Sequence, residues 1–194
     1  MDFFFTYFQL GFEHIFEWEA MDHILFIISF TCIYTFAKTK EAILLATAFT
    51  IGHTITLALS SLNFIKVNID WVEFFIPLTI FFTALTNLGF DQKKINEQKF
   101  NIEKYLMIGV FGLIHGLGFS SYLKSLLGQE SSIVLPLLSF NIGLEIAQII
   151  LIVLTLFMTS ILIQFLKVKS KMLVIVCSSI IMGYIIPMLI ERFP

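Results

Sequence analysis

The residues of this chain best equipped for chemistry are its four histidines, each in or beside a hydrophobic segment. His14 precedes the Asp22-His23 pair, with Glu17 and Glu19 between; His53 lies in FTIGHTITL and His115 in FGLIHGLGF. An imidazole beside a carboxylate either binds a metal together with it or has its ring tautomer fixed by it. Glu73 and Glu145, also in apolar surroundings, enlarge the set of candidate ligands. Imidazole with carboxylate and amide oxygen suits borderline divalent ions such as Ni²⁺, Co²⁺ or Zn²⁺. The seven methionines are scattered and form no cluster with Cys32 or Cys177, which argues against Cu(I). Any one histidine could serve packing alone; all four, with Glu73 and Glu145, point to a divalent metal ion.

The elements that must position these side chains follow from composition. Of 194 residues, 58% are hydrophobic and 13% charged, with a mean hydropathy of +0.92. Those values exclude an ordinary soluble domain and predict an all-α integral membrane protein. Six apolar runs, at about 22–37, 41–62, 71–90, 104–124, 133–163 and 171–190, predict a six-transmembrane-helix bundle forming a single membrane domain over 1–194. The fifth run exceeds the roughly 20 residues that one span needs, with Pro136 expected in its first turn. Residues 1–20, rich in Phe and acidic near their end, predict an interfacial or re-entrant helix on the outer side. They contain no lysine or arginine and so do not read as a signal peptide. Cys32 and Cys177 read as small packing residues.

Nine of the twelve basic residues fall on one side of this topology: Lys38, Lys40, Lys93, Lys94, Lys99, Lys104, Lys167, Lys169 and Lys171. Lys66, Lys124 and Arg192 fall on the other. The positive-inside rule then places both termini outside a cytoplasmic (inner) membrane. Asp2, Glu13, Glu17, Glu19, Asp22, Asp70, Glu73, Glu130 and Glu191 map to the outer side, a formal charge near −6 that would concentrate cations at the mouth. The same pattern also arises because acids contribute little to topology. The expected partners are the lipid bilayer and a divalent metal ion as substrate, with no nucleic acid; homo-oligomerisation stays open.

Helical rise converts position into depth. His53 lies nine residues before Leu62 and His115 nine before Lys124, each roughly 13 Å below the outer end of its span. His14 and His23, counted from the start of span one, belong to an outer vestibule, which predicts two separate stations. Asn141, Glu145 and Gln148 share one helical face, which must point inward, and Glu73 shares a face with Asn87, the polar stepping stone toward the inner side. Thr50 and Thr54 are expected to keep a hydroxyl beside His53. Gly112 and Gly116 form a GxxxG pair for close helix packing and also leave room for an ion. Span six, offering Cys177, Ser178, Ser179 and Tyr184, is expected at the periphery.

Five stretches resemble the HupE/UreJ family of membrane proteins: GFEHIFEWEAMDHILFI at 11–27, TAFTIGHTITLAL at 47–59, VEFFIPLTI at 72–80, FGLIHGLGFSSYL at 111–123 and FNIGLEIAQ at 140–148. They reach across the first five spans in the family's order. The resemblance implies a six-helix bundle carrying Ni²⁺ or Co²⁺ inward, with His14, Asp22, His23, His53, Glu73, His115 and Glu145 at the positions of the family's polar motifs. The first motif departs from the family's usual HPxxGxDH: seven residues separate His14 from Asp22-His23, and the proline and glycine are absent.

Three functions compete on these residues. The first is a permease, without a GxxxxGKS-type phosphate loop and so driven by the membrane potential or a co-transported ion. The second is a membrane-embedded zinc-dependent hydrolase in which Glu73, Glu145 or Asp22 acts as general base. The third is a structural membrane subunit whose histidines only bridge helices.

Overall fold

A computed structural model describes residues 3–17, 21–89, 91–97, 101–127 and 132–194. Asp2, Glu19, Glu130 and Lys99, used above to orient the chain, lie outside the described residues. The described residues form eight α-helices and no strand: α1 (Phe3–Phe16), α2 (Met21–Thr31), α3 (Thr39–Ser61), α4 (Ile69–Thr86), α5 (Gln92–Glu97), α6 (Ile102–Leu127), α7 (Val134–Gln164) and α8 (Ser170–Glu191). Short 3₁₀ turns at Phe36–Lys38 and Asn87–Gly89 precede α3 and extend α4.

Five of these helices are long and apolar enough to cross a membrane: α3 with its preceding turn, α4 with its following one, α6, α7 and α8. Their limits fall within a few residues of the second to sixth apolar runs. The first run behaves differently. α2 has 11 residues, about 16 Å at the helical rise, and a hydrocarbon core needs about 30 Å. The chain turns at Cys32 and Tyr34, whose N–H groups bond to Ile28 and Thr31 carbonyls, before Phe36–Lys38 starts the next helix. A continuous apolar run is not a continuous helix when its end is bent back by such turns.

Nor does α1 lie across the mouth of the bundle. It packs lengthwise on α7, and glycines set the contact: a Cβ on Gly11 would stand 1.9 Å from the Phe140 carbonyl oxygen, and one on Gly143 2.0 Å from that of Phe8. Pairing Gly11 with Phe140 and Phe8 with Gly143 makes the two helices antiparallel. The first turn of α1 therefore lies alongside the middle of α7, and the helix rises to bring His14 level with the first turns of α7.

The same device joins α3 to α6. Added Cβ atoms on Gly52, Gly112 and Gly116 would stand 2.1, 2.1 and 2.3 Å from the carbonyl oxygens of Gly109, Phe49 and His53. Gly112 and Gly116 are thus filled by the backbone of α3, not by space for an ion. Threonines on α3 then tie it to α7. Thr47 donates to Glu145 Oε1 (2.5 Å), Thr50 to Gln148 Oε1 (2.9 Å) and Thr54 to Asn141 Oδ1 (2.7 Å). Leu57, Ile80, Phe140, Leu144, Ile152, Leu156 and Ile185, each fully buried, fill the space between the helices.

Span six lies at the edge of the bundle, as expected, with the smallest buried share of the five long helices, but its inner face is tied in. α8 packs on α4 and buries Leu173, Val174, Ser178, Ile181 and Ile185. Ser178 accepts a bond from Asn87 Nδ2 (3.2 Å), which also reaches the Ser29 carbonyl (2.7 Å). Asn87 thereby brackets α2, α4 and α8 together, so its amide is a structural clamp instead of a stepping stone.

Candidate metal centre

The four histidines converge. His14 ends α1, His23 stands in the first turn of α2, and His53 and His115 stand on α3 and α6, which meet along a glycine-lined contact. All four are buried, at 5%, 4%, 0% and 1% exposure. One ring nitrogen from each of His14, His23 and His53 lies within 4.8 Å of the other two. The His115 ring sits 5.3 Å from that of His23, centroid to centroid.

The expected two stations are therefore one. The depth count assumed that α2 begins at the outer surface; instead its first turn sits level with His53, whose ring is 6.2 Å from that of His23. His14 reaches the same level because α1 lies against the start of α7, 5.8 Å from the Phe140 ring.

Hydrogen bonds decide which nitrogens face the site. Asp22 Oδ1 accepts from the backbone N–H of His23 (2.8 Å) and contacts its ring Nδ1 (3.0 Å). That pairing places the ring proton on Nδ1 and leaves a lone pair on Nε2. His115 Nδ1 lies 2.9 Å from the Phe111 carbonyl, an acceptor, which fixes the same tautomer. What remains is a set of buried nitrogens without a partner among the described residues: both of His14, both of His53, and Nε2 of His23 and His115. Buried polar atoms are nearly always bonded, so orphans converging on one place point to a ligand. Their chemistry fits a borderline divalent ion.

Glu73 and Arg192 line a cavity of about 350 Å³ together with His14, Asp22, His23 and His115. The same two residues line a second, of about 420 Å³, with Asp70 and Glu191. An acidic approach thus leads from Asp70, Glu191 and Glu73 to Asp22 and the imidazoles. On the opposite side the centre is floored by aromatic rings. Phe26 and Phe49 lie 5.3 and 5.0 Å from His115 and 5.0 Å from each other, with Phe111 6.1 Å from Phe26. Phe119 and Phe140 form the wall beside His14, at 4.0 and 5.8 Å.

The remaining candidates lie elsewhere. Glu145 stands outside the three-histidine group, one oxygen bonded to Thr47 and the other buried without a partner. Thr50 and Thr54 bond to Gln148 and Asn141 and leave the His53 ring unbonded. Arg192, Phe119 and Thr47 were missed by reading the sequence. Only Thr47 carried a signal there, since 47, 50 and 54 mark one helical face.

No curated protein and no solved structure matches the chain. A sequence model of the family described as HupE / UreJ protein matches residues 1–192, essentially the whole chain, which therefore belongs to the HupE/UreJ family.

Proposed function

We propose that this chain is a permease for a divalent transition-metal cation, Ni²⁺ or Co²⁺, with Zn²⁺ the third ion its donors suit. The observation that carries the reading is the convergence of unpartnered imidazole nitrogens from His14, His23, His53 and His115. Family membership supports the nickel or cobalt substrate. Cations gather at Asp70, Glu73 and Glu191, lose water, and pass to His14, His23 and His53, with His115 beside them. Asp22 orients the His23 ring. Phe26, Phe49 and Phe111 close the route beneath, so release requires these rings to move.

In the proposed orientation the cavity mouth and the C-terminus face outward across the cytoplasmic membrane. Lys38, Lys40, Lys104, Lys167, Lys169 and Lys171 face the cytoplasm. The last turn of α1 and the first turn of α2 meet at the metal centre, and five full-length helices pack around them. This arrangement suits a metal site in a membrane, because helix ends within the bundle bring side chains from two directions to one depth.

Sealed proteoliposomes loaded with a metal-sensitive dye provide the test. External Ni²⁺ or Co²⁺ should raise the signal, and His53→Ala should abolish it. Absence of flux together with a tightly retained Zn²⁺ would sink the permease and favour the second reading. That reading, a metallohydrolase with Glu73 or Asp22 as base, draws on the aromatic floor, which makes the site open on one side only. A structural subunit is disfavoured by the same orphaned nitrogens, since imidazoles that bridge helices would be hydrogen-bonded.

A further inference from the structure

At the far end of the bundle from the metal centre lies an apolar groove of about 560 Å³, lined by Ile28 and Cys32 at the end of α2, Leu154 and Met158 of α7, and Met172 and Val176 of α8. It exists because α2, with 11 residues, stops short beside α7 and α8, with 31 and 22. Leu154, Met158, Met172 and Val176 are all exposed along it. Its volume falls in the ~300–1,000 Å³ range of sites that enclose small ligands.

One rim of this groove is strongly basic. Val168 of the α7–α8 turn lines it, with Lys167 and Lys169 as its chain neighbours, and Lys171 adjoins Met172. All three lysines are exposed, and none forms an ion pair among the described residues. No Asp or Glu occurs between Glu145 and Glu191, so neither the deeper half of α7 nor α8 before its far end supplies a counter-charge. The corner is a defined turn: Lys167 adopts the left-handed backbone region (φ 55°), and the N–H groups of Leu166 and Val168 bond back to the carbonyls of Ile161 and Leu162.

We propose that this groove is a binding site for an anionic phospholipid, one acyl chain lying along Leu154, Met158, Met172 and Val176, and the phosphate held by Lys167, Lys169 and Lys171. The charge pattern selects the lipid: an apolar cleft alone accepts any acyl chain, whereas a basic corner at its rim favours a net negative headgroup. A second copy of this chain fits less well, because a two-fold contact through this face would bring two lysine corners together.

Native mass spectrometry of the full chain in neutral detergent tests the site. Phosphatidylglycerol and phosphatidylcholine of the same acyl length are added at equal concentration. One phosphatidylglycerol should be retained per chain, at least tenfold over phosphatidylcholine. Lys167→Asn, which tolerates the left-handed backbone, combined with Lys169→Gln and Lys171→Gln, should erase the preference, each lysine accounting for roughly fivefold. Met158→Trp, at an exposed position that cannot disturb the core, should lower retention of both lipids. Equal retention of the two lipids, a preference that survives the triple substitution, or a lipid-free dimer would each overturn the proposal. Because metal binding is not read, the outcome is independent of the permease assignment.

Discussion

Asp22 Oδ1 is held between the backbone N–H and the ring Nδ1 of His23, at 2.8 and 3.0 Å, and the Nε2 of that ring is buried with no partner among the described residues. A carboxylate and an imidazole adjacent in sequence have thus divided the work: one sets the tautomer, the other offers the lone pair.

Asp22→Asn should therefore weaken metal binding without abolishing it. An amide oxygen still accepts a hydrogen bond but carries no charge, and loss of such an orienting partner costs about 10–100-fold in affinity. His23→Ala should cost more. Isothermal titration of purified protein with Ni²⁺ or Zn²⁺ separates the two; equal losses would mean that Asp22 is itself a ligand.

The same titration should depend on pH in one direction. Imidazole nitrogens bind metal only when unprotonated, so protons compete with the ion and affinity falls as pH drops. The number of protons released per ion, read from buffers of different ionisation enthalpy, reports how many imidazoles were protonated beforehand. Affinity independent of pH would place the ion on donors that do not titrate, such as backbone carbonyls, instead of on His14, His23 and His53.

Gly52→Ala and Gly112→Ala should be destabilising, since each new Cβ would sit 2.1 Å from a carbonyl oxygen of the facing helix. Overpacking of this kind costs about 1–3 kcal/mol, and separating α3 from α6 should also lower metal affinity. Gly183→Ala is the control: nothing lies within 4 Å of its added Cβ, and helix propensity favours Ala by about 1 kcal/mol. Thermal unfolding in detergent should order the variants with Gly183→Ala at or above the parent.

Glu145→Gln should preserve metal stoichiometry. Its carboxyl is engaged by Thr47 between α3 and α7, outside the group formed by His14, His23 and His53. Any stability change should be matched by Thr47→Val, which removes the other half of the same 2.5 Å contact. Loss of the bound ion from Glu145→Gln alone would return this residue to the ligand set.

Much of this architecture was legible from residues 39–191, where apolar runs bounded by charges mark α3, α4, α6, α7 and α8 to within a few positions. Burial of whole faces in lipid and protein leaves little choice of length or type for such helices. Glu145, Asn141 and Gln148 were also legible as an inward face, because helical periodicity alone fixes which residues point the same way. Their partners, Thr47, Thr54 and Thr50, were not, since periodicity says nothing about which helix lies opposite.

The sequence by itself determined the membrane class, the helical segments and the chemical type of the donors, all of which depend on local composition and spacing. Tertiary structure alone decided that His14 and His23 join His53 and His115 instead of forming an outer station. Depth inferred from residue counts assumes that every helix starts at one plane. α2 starts within the bundle, and α1 runs antiparallel along α7 because Gly11 and Gly143 let their backbones touch. Those offsets arise from contacts between distant segments, so counting along the chain does not reveal them.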